Sequence, residues 1–327
     1  MRILELTVRP DEVQLNIGQI LKSRLGMNKR QISRAKFTSG GIMYLAENSE
    51  WTQVRVTGKL PAGSLLRVQL EDEQEGKVLP VQGPLDILFE NEDLLVINKP
   101  AGVSVHPGRG HYDDTIANFA AWYLLNKQGD AEEDPESEGD QTGVAVRTVG
   151  RLDQDTSGAL IIAKSKEAAE KLTREGAVKK TYLALADASE TNVPALETGK
   201  RFTIDRNICK KEGSLNEFET TEDAAVGLRA VTHVCPLKKY SSELGDYLLC
   251  RMKLETGRTH QIRVHMASIG HALLADPIYG KPWKGPQLSR AALHCESLVI
   301  DLPFPGEDGV RQIEVTSPLP EDMKELT

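Results

Sequence analysis

Cysteine is scarce in this chain, and its spacing excludes two classes of small cross-linked protein. The 327 residues contain four cysteines, and no two of them form a Cys-x-x-Cys pair. A zinc ribbon requires such pairs and a disulfide framework requires closely spaced cysteines, so neither is predicted. We expect buried free thiols at Cys209, Cys235, Cys250 and Cys295.

Long apolar runs are also missing. No apolar segment approaches the length of about 18 residues that a membrane-spanning helix requires, so spanning helices are excluded. The first residues, MRILEL, lack the basic region, the apolar region and the small-residue cleavage site of a secretory signal. These absences predict a cytoplasmic protein.

The chain lacks the motifs that hold common cofactors. Neither Gly-x-x-x-x-Gly-Lys-Ser/Thr nor Gly-x-Gly-x-x-Gly occurs, so no nucleotide-binding loop is predicted. His260, His265 and His271 are close in sequence, yet no two are four residues apart and no His-Glu-x-x-His motif occurs. We therefore expect no cofactor and no metal ion.

Charge is present but strongly segregated. The formal net charge is −8, which is unfavourable for contacts with phosphate. Residues 130–140, however, hold seven acidic residues and no basic one. Residues 13–46 contain no Asp or Glu and carry six cations. This distribution predicts a basic surface near the N-terminus, formed by Lys22, Arg24, Lys29, Arg30, Arg34 and Lys36.

The length predicts two domains. In the first, residues 1–75, apolar spacing indicates helices at 17–25 and 29–37, followed by strands at 52–56 and 64–70. A basic helical face of this kind also occurs for solubility alone, and that alternative stays open. Residues 76–84 are expected to be a linker.

In the second domain, residues 85–327, strand-like runs outnumber helical ones. Strands are predicted at 86–90, 94–98, 159–163, 180–186, 229–234, 247–254, 294–300 and 311–316, and helices at 115–127, 166–175 and 260–268. This order predicts an α+β fold with a mixed, largely antiparallel sheet. The acidic insertion at 128–142 is expected to be a mobile surface segment.

One loop of the second domain carries a candidate catalytic carboxylate. In GRLDQDTSG, residues 150–158, Asp153 lies between two glycines and just before an apolar strand. Such a loop can hold a side chain on rigid backbone while leaving it open to a ligand. Capping of the turn by Asp153 is the alternative that the tripeptide alone would favour.

Further segments in fixed order give that loop a context. VKKTYLALA, residues 178–186, is strand-like and carries Tyr182; ETGRTHQIRVHM, residues 255–266, is a glycine turn leading into a helix. With LLVINKPAGVSVHP at 94–107 and LADPIYG at 274–280, residues 85–317 resemble the RluA-type pseudouridine synthases. Gly150 departs from the His that usually precedes Arg-Leu-Asp in that family, which leaves the subgroup and the RNA target open.

The resemblance implies a cofactor-free isomerase with a mixed sheet and a central cleft. It implies that Asp153 attacks the anomeric carbon or removes the ribose 2′ proton, and that Arg263 pairs with Asp153 and keeps it ionised. Tyr182 would stack on uracil, and its phenol would take the proton from carbon 5. Contacts with RNA are expected from Arg151, Arg258, Lys99 and Arg109.

The N-terminal domain is similar to the alpha-L RNA-binding module that many of these enzymes carry. The implied partner is structured RNA, ribosomal in preference to transfer RNA, and the enzyme is expected to be a monomer that flips the target uridine out of its stack. Two alternatives remain: an RNA-binding or ribosome-assembly factor without activity, and an N-glycosidic hydrolase. The hydrolase would need a second carboxylate to activate water.

Overall fold

The computed structural model describes residues 2–327 except 26, 28–31, 33–34, 37–39, 46–49, 71–76, 109, 129–143, 215, 224, 244, 286–287 and 305–308. The chain forms two compact units, Met1–Glu75 and Gly76–Thr327. None of the helices in these described residues is both long and apolar enough to cross a membrane. The acidic insertion predicted at 128–142 lies almost wholly outside the described residues.

The first unit is a small α/β structure. Strands β1 (Arg2–Thr7), β2 (Ile42–Leu45), β3 (Trp51–Gln53) and β4 (Leu65–Leu70) form an antiparallel sheet in the order β1-β4-β2-β3. Helix α1 (Ile17–Leu25) packs on it through side chains at helical spacing, since Ile17, Ile20 and Leu21 are all buried.

Helix α1 begins where the sequence predicts. Asn16 and Gln19 each accept a hydrogen bond from the other's backbone N–H, both at 2.9 Å. This reciprocal pair satisfies two of the backbone donors that a helix N-terminus leaves without partners. The second helix, predicted at 29–37, lies mainly outside the described residues, although Ile32, Ala35 and Lys36 are helical.

The second unit is built on one ten-stranded sheet with the order β12-β15-β16-β11-β17-β10-β7-β6, in which β18 also pairs with β17 and β9 with β10. Two short ladders, β5–β8 and β13–β14, complete it. The strands are β5 (Lys77–Val78), β6 (Ile87–Glu90), β7 (Leu94–Lys99), β8 (Val144–Ala145), β9 (Arg147–Val149), β10 (Ser157–Ala163), β11 (Val178–Asp187), β12 (Phe202–Asp205), β13 (Asn207–Lys210), β14 (Phe218–Thr221), β15 (Val231–Ser242), β16 (Gly245–Leu254), β17 (Leu293–Asp301) and β18 (Gln312–Thr316).

Four helices accompany the sheet within the described part of this unit: α2 (Ile116–Gln128), α3 (Lys166–Leu172), α4 (Gln261–Ser268) and α5 (Glu321–Lys324). β10 is buried along its whole length and runs parallel to β17 and antiparallel to β7. The remaining strand pairs of this sheet are antiparallel wherever the chain is described. The predicted α+β class with a mixed, largely antiparallel sheet is confirmed.

Residues 76–84, which the sequence predicts to be a linker, fall inside the second unit. Lys77 and Val78 pair there with Ala145 and Val144. A two-residue strand is too short to show a periodic pattern of apolar residues, so the sequence does not predict it. The same limitation explains why β8 and β9 were not predicted.

Candidate active site

The loop that carries Asp153 connects two neighbouring strands of the large sheet. It leaves β9 at Gly150 and enters β10 at Ser157, and β9 and β10 pair antiparallel. Gly158 has φ +112° and a Cβ added there would lie 2.3 Å from the carbonyl oxygen of Cys295. Only glycine therefore lets β10 approach β17 this closely and fixes the position of the loop.

Two buried cations hold the backbone of this loop. Lys99 is 0 % exposed, and its Nζ donates to the carbonyl oxygens of Gln154 at 2.9 Å, Pro100 at 2.8 Å and Val103 at 2.7 Å. Arg290 donates from NH1 to the carbonyl oxygen of Asp155 at 3.1 Å. Both carbonyls belong to the two residues that follow Asp153, so the carboxylate sits on an anchored turn.

The predicted contact of Lys99 with RNA is wrong. Its three donors are used within the protein, and the side chain does not reach the surface. Burial lowers the pKa of Lys99 to about 7, although the charges of Asp155 and Asp153 oppose that shift. The ammonium form alone offers three N–H donors to the three carbonyls. Lys99 therefore holds the backbone of the loop that carries Asp153.

Asp153 lines a cavity of ≈ 450 Å³ together with Tyr182, Arg263, His260 and Lys180. Its side chain is half-buried, and among the described residues no side chain or backbone group hydrogen-bonds to its carboxylate. The carbonyl oxygen of Asp153 accepts from the N–H of Thr156 at 3.1 Å, which closes the turn through the backbone. The carboxylate is therefore open to a ligand in the cavity.

Arg263 lies in the same cavity, but its fork is engaged elsewhere. It donates from Nε and NH2 to the two carboxylate oxygens of Asp276, each at 2.7 Å, and both side chains are buried. The predicted pairing of Arg263 with Asp153 is therefore wrong: Asp276, eight residues after the end of α4, accepts from those two donors. The LADPIYG segment at 274–280 contained this partner, but nothing in its spacing indicated the pairing.

The charges of this pair are mutually stabilised. Burial opposes charge on Arg263, yet the hydrogen bonds and charge of Asp276 raise the pKa of its guanidinium, and the charge of Asp153 adds to this. Burial likewise opposes charge on Asp276, but Arg263 lowers the pKa of that carboxyl below its usual value. A fixed positive charge thus stands close to Asp153 without being tied to it.

Helix α4, which presents Arg263, is fixed at its first turn by Gln261. Its Oε1 accepts from Thr256 Oγ1 and from the N–H of Arg258, both at 2.9 Å, and its Nε2 donates to the carbonyl of Val231 at 2.9 Å. His260 precedes the helix in the left-handed region, with φ 55°, and its Nδ1 lies 2.9 Å from the hydroxyl of Tyr279. The amide therefore anchors the helix that orients Arg263.

Tyr182 lies on β11, as predicted, and is 5 % exposed. Burial raises the pKa of its phenol well above the usual value, and the neighbouring Cys295 and Asp153 add to that rise. A phenol with a raised pKa stays protonated near neutrality, and a protonated phenol is a poor proton acceptor. This weakens the predicted role of the phenol as the base at carbon 5, while the ring remains available for stacking.

The predicted RNA-contacting cations fall into three groups. Arg151 and Arg258 line the cavity and are exposed, although Arg258 Nε also donates to the carbonyl of Arg229 at 3.0 Å. In the first unit, Lys22 and Lys36 are exposed, whereas Arg24 forms an ion pair with Glu12 at 3.2 Å. The remaining four lie outside the described residues: Arg109, Lys29, Arg30 and Arg34.

Comparisons with known proteins agree with this architecture. Residues 93–268 match the family described as RNA pseudouridylate synthase. The chain is 36 % identical to the ribosomal large subunit pseudouridine synthase D of Zymomonas mobilis, over 98 % of this chain and 96 % of that one. It is also 36 % identical to the uncharacterized RNA pseudouridine synthase YhcT of Bacillus subtilis, over 81 % and 78 %.

A solved structure shares much of this fold. The human RNA pseudouridylate synthase domain containing 1 aligns with a TM-score of 0.51 and 25 % identity, over 72 % of this chain and 83 % of that one. The predicted resemblance to pseudouridine synthases is thereby confirmed.

Proposed function

The chain belongs to the RNA pseudouridylate synthase family, and from this premise we propose that it converts specific uridines of ribosomal RNA to pseudouridine. The observation that supports the proposal most directly is the open carboxylate of Asp153, on an anchored loop in a cavity that also contains Tyr182 and Arg263. The preference for ribosomal RNA is supported by the name of the Zymomonas mobilis relative, which covers almost the whole chain.

The reaction that we propose begins with the target uridine flipped out of its stack and into the cavity. Asp153 then either attacks carbon 1′ of the ribose or removes the 2′ proton. On both routes the bond from uracil N1 to C1′ breaks, and its electron pair stays on the uracil. The ring turns and C5 bonds to C1′. On the first route this step breaks the bond between Asp153 and C1′, and on the second route Asp153 returns its proton to C2′. The proton on C5 is then lost and N1 takes up a proton, so the product is an isomer of the substrate.

The roles of the other cavity residues follow from their contacts. Asp276 fixes Arg263, which supplies positive charge near Asp153 without occupying its oxygens. Tyr182 offers a buried aromatic face on which the uracil can stack. Arg151 and Arg258 line the cavity and are exposed, so they are suited to hold the phosphates that flank the uridine.

The first unit is, on this proposal, an alpha-L-like RNA-binding module. Its exposed Lys22 and Lys36 are suited to attract phosphate. We also propose that the enzyme is a monomer and that it acts in the cytoplasm. Ribosomal RNA is assembled there in bacteria such as those of the relatives. No cofactor takes part in any step.

Mapping of pseudouridines in total RNA tests the target. Deletion of the gene should remove pseudouridine from one or more ribosomal positions, and the wild-type gene should restore them. The Asp153→Asn gene is the matched control and should not restore them. Loss confined to transfer RNA would contradict the assignment to ribosomal RNA. An unchanged map would contradict that assignment and the proposed pseudouridine synthase activity.

A further inference from the structure

Lys180 lines the cavity that contains Asp153 and takes no part in the steps proposed for Asp153, Tyr182 and Arg263. It is two residues before Tyr182 on β11, so the two side chains leave the strand on the same face. Both line the cavity that contains Asp153. Residues at this spacing are about 6.6 Å apart along a strand, so a long lysine side chain can reach a ring stacked on its neighbour.

Lys180 also reaches the start of the catalytic loop. A Cβ added to Gly150 would lie 3.0 Å from Lys180 Nζ. The space beside Gly150 is therefore occupied by the ammonium group, and any larger residue at that position would displace it. Gly150 also has φ +74°, so a side chain there would be strained in any case.

The ammonium group of Lys180 has no partner among the described residues, either as an ion pair or as a hydrogen bond. Lys180 is half-buried. The fully buried cations Lys99 and Arg263 differ from it, since Lys99 has three carbonyls and Arg263 has Asp276. Burial lowers the pKa of Lys180, so the fold has already removed part of its water. A cation in this state interacts strongly with any negative charge that forms nearby.

We propose that Lys180 is a further catalytic residue, which stabilises the negative charge on the uracil while its N1–C1′ bond breaks. This inference rests on the proposed function. The bonding electron pair spreads over N1, O2 and O4 of the uracil, and it is used again when C5 bonds to C1′. Lys180 stays protonated throughout and transfers no proton. The C5 proton passes to water, and N1 takes up a proton in its place.

An oxygen of a flanking phosphate is the other negative group that Lys180 could meet. The two sources differ in what they change: a phosphate contact contributes to RNA affinity and to its salt dependence. Charge that develops only in the transition state contributes to the rate of the chemical step. The position of Lys180 beside Tyr182, where the uracil would stack, favours the uracil.

The test compares Lys180→Met with Lys180→Arg in single-turnover reactions, and Lys179→Met is the matched control. Lys179 is exposed and points to the opposite face of β11, so its variant loses the same charge outside the cavity. We expect Lys180→Met to slow the chemical step about 10²-fold at unchanged RNA affinity. Lys180→Arg should recover part of the rate, and Lys179→Met should match the wild type. Thermal unfolding of each variant shows whether the fold is kept.

A second RNA, with 5-fluorouridine at the target, isolates the bond-breaking step. Fluorine withdraws electrons, so the fluorinated base leaves more readily and needs less stabilisation. Its C5 carries no proton, so consumption of the target nucleotide does not depend on proton removal. The deficit of Lys180→Met should therefore shrink by several-fold on this RNA.

Three results would overturn the inference: an unchanged rate, an equal deficit on both RNAs, or a loss of affinity at unchanged rate. The last of these would assign Lys180 to phosphate. The RNA used is whichever fragment the wild type converts. If the assignment to ribosomal RNA is wrong, the wild type will convert a fragment of another RNA. If the role of Lys180 is wrong, the ratio of the wild-type rate to the Lys180→Met rate will show it on whichever fragment is used.

Discussion

The two units use their cations differently. In the second unit, internal partners hold two buried cations in fixed positions: Lys99 has three carbonyls and Arg263 has Asp276. In the first unit, Lys22 lies exposed at the surface and has no partner among the described residues. The difference indicates that positive charge builds the reaction site in one unit and is available to attract RNA in the other.

The substitution with the largest expected effect, Asp153→Asn, should separate the rate of the chemical step from RNA affinity. Asp153→Asn keeps the size of the side chain but removes its nucleophilic or basic form, so turnover should fall by about 10⁴-fold. RNA affinity and unfolding temperature should stay close to those of the wild type, since no described group hydrogen-bonds to this carboxylate. Single-turnover rates and binding titrations measure both. Residual turnover within tenfold of the wild type would remove Asp153 from the mechanism.

The next effect tests the buried ion pair. Arg263→Lys retains the charge but not the fork, so we expect turnover to fall about 10²- to 10³-fold. Asp276→Asn should cause a loss of similar size, because the variant frees the same guanidinium. The double variant should be little worse than either single one. If Asp276→Asn is fully active, the Arg263–Asp276 pair does not position the site.

Substitution of Lys99 should have a smaller effect on turnover, and it should also change how stability depends on pH. Lys99→Met leaves three carbonyls without their donor and loosens the catalytic loop, so turnover should fall about 10²-fold. The folded protein lowers the pKa of Lys99 to about 7 from 10.5. Between these values the folded chain binds this proton less than the unfolded chain does, so wild-type stability rises with pH.

The pH signature is measured as a difference. The free energy of unfolding of the wild type, minus that of Lys99→Met, should increase from pH 7 to pH 10 by at most about 1.4 kcal/mol per unit. Denaturant titrations at several pH values give this difference, in which the other titrating groups cancel. A flat or falling difference would show that the three carbonyls keep Lys99 protonated in the fold.

The sequence predicted the periodic elements and the loop, but not the partners inside the site. Strand β10 carries an apolar run, and helix α1 has apolar residues at helical spacing, so both could be predicted directly. The roles of Lys99 and Arg263 depend on residues that are distant in sequence, Gln154 and Asp276. No local pattern shows which cation will be buried beside which acceptor, so these contacts needed the structure.

The smallest effect tests the exposed charge of the first unit by comparing two cations on the same helix. Lys22 is exposed and has no partner among the described residues, whereas Arg24 donates to Glu12 at 3.2 Å. An exposed lysine that meets phosphate releases a counterion, so Lys22→Gln should reduce the slope of log affinity against log salt by about 0.7 to 0.9, the range between single-stranded and B-form nucleic acid. Arg24→Gln should change that slope less and lower stability more, because it leaves the buried Glu12 unpaired. Titrations from low to moderate salt, with the same RNA for both variants, measure the two slopes.

Equal slopes for Lys22→Gln and the wild type would mean that this face of the helix does not meet phosphate. The first unit would then differ from the second in its role as well as in its charge. It would be a module that contacts protein or that has only a structural role.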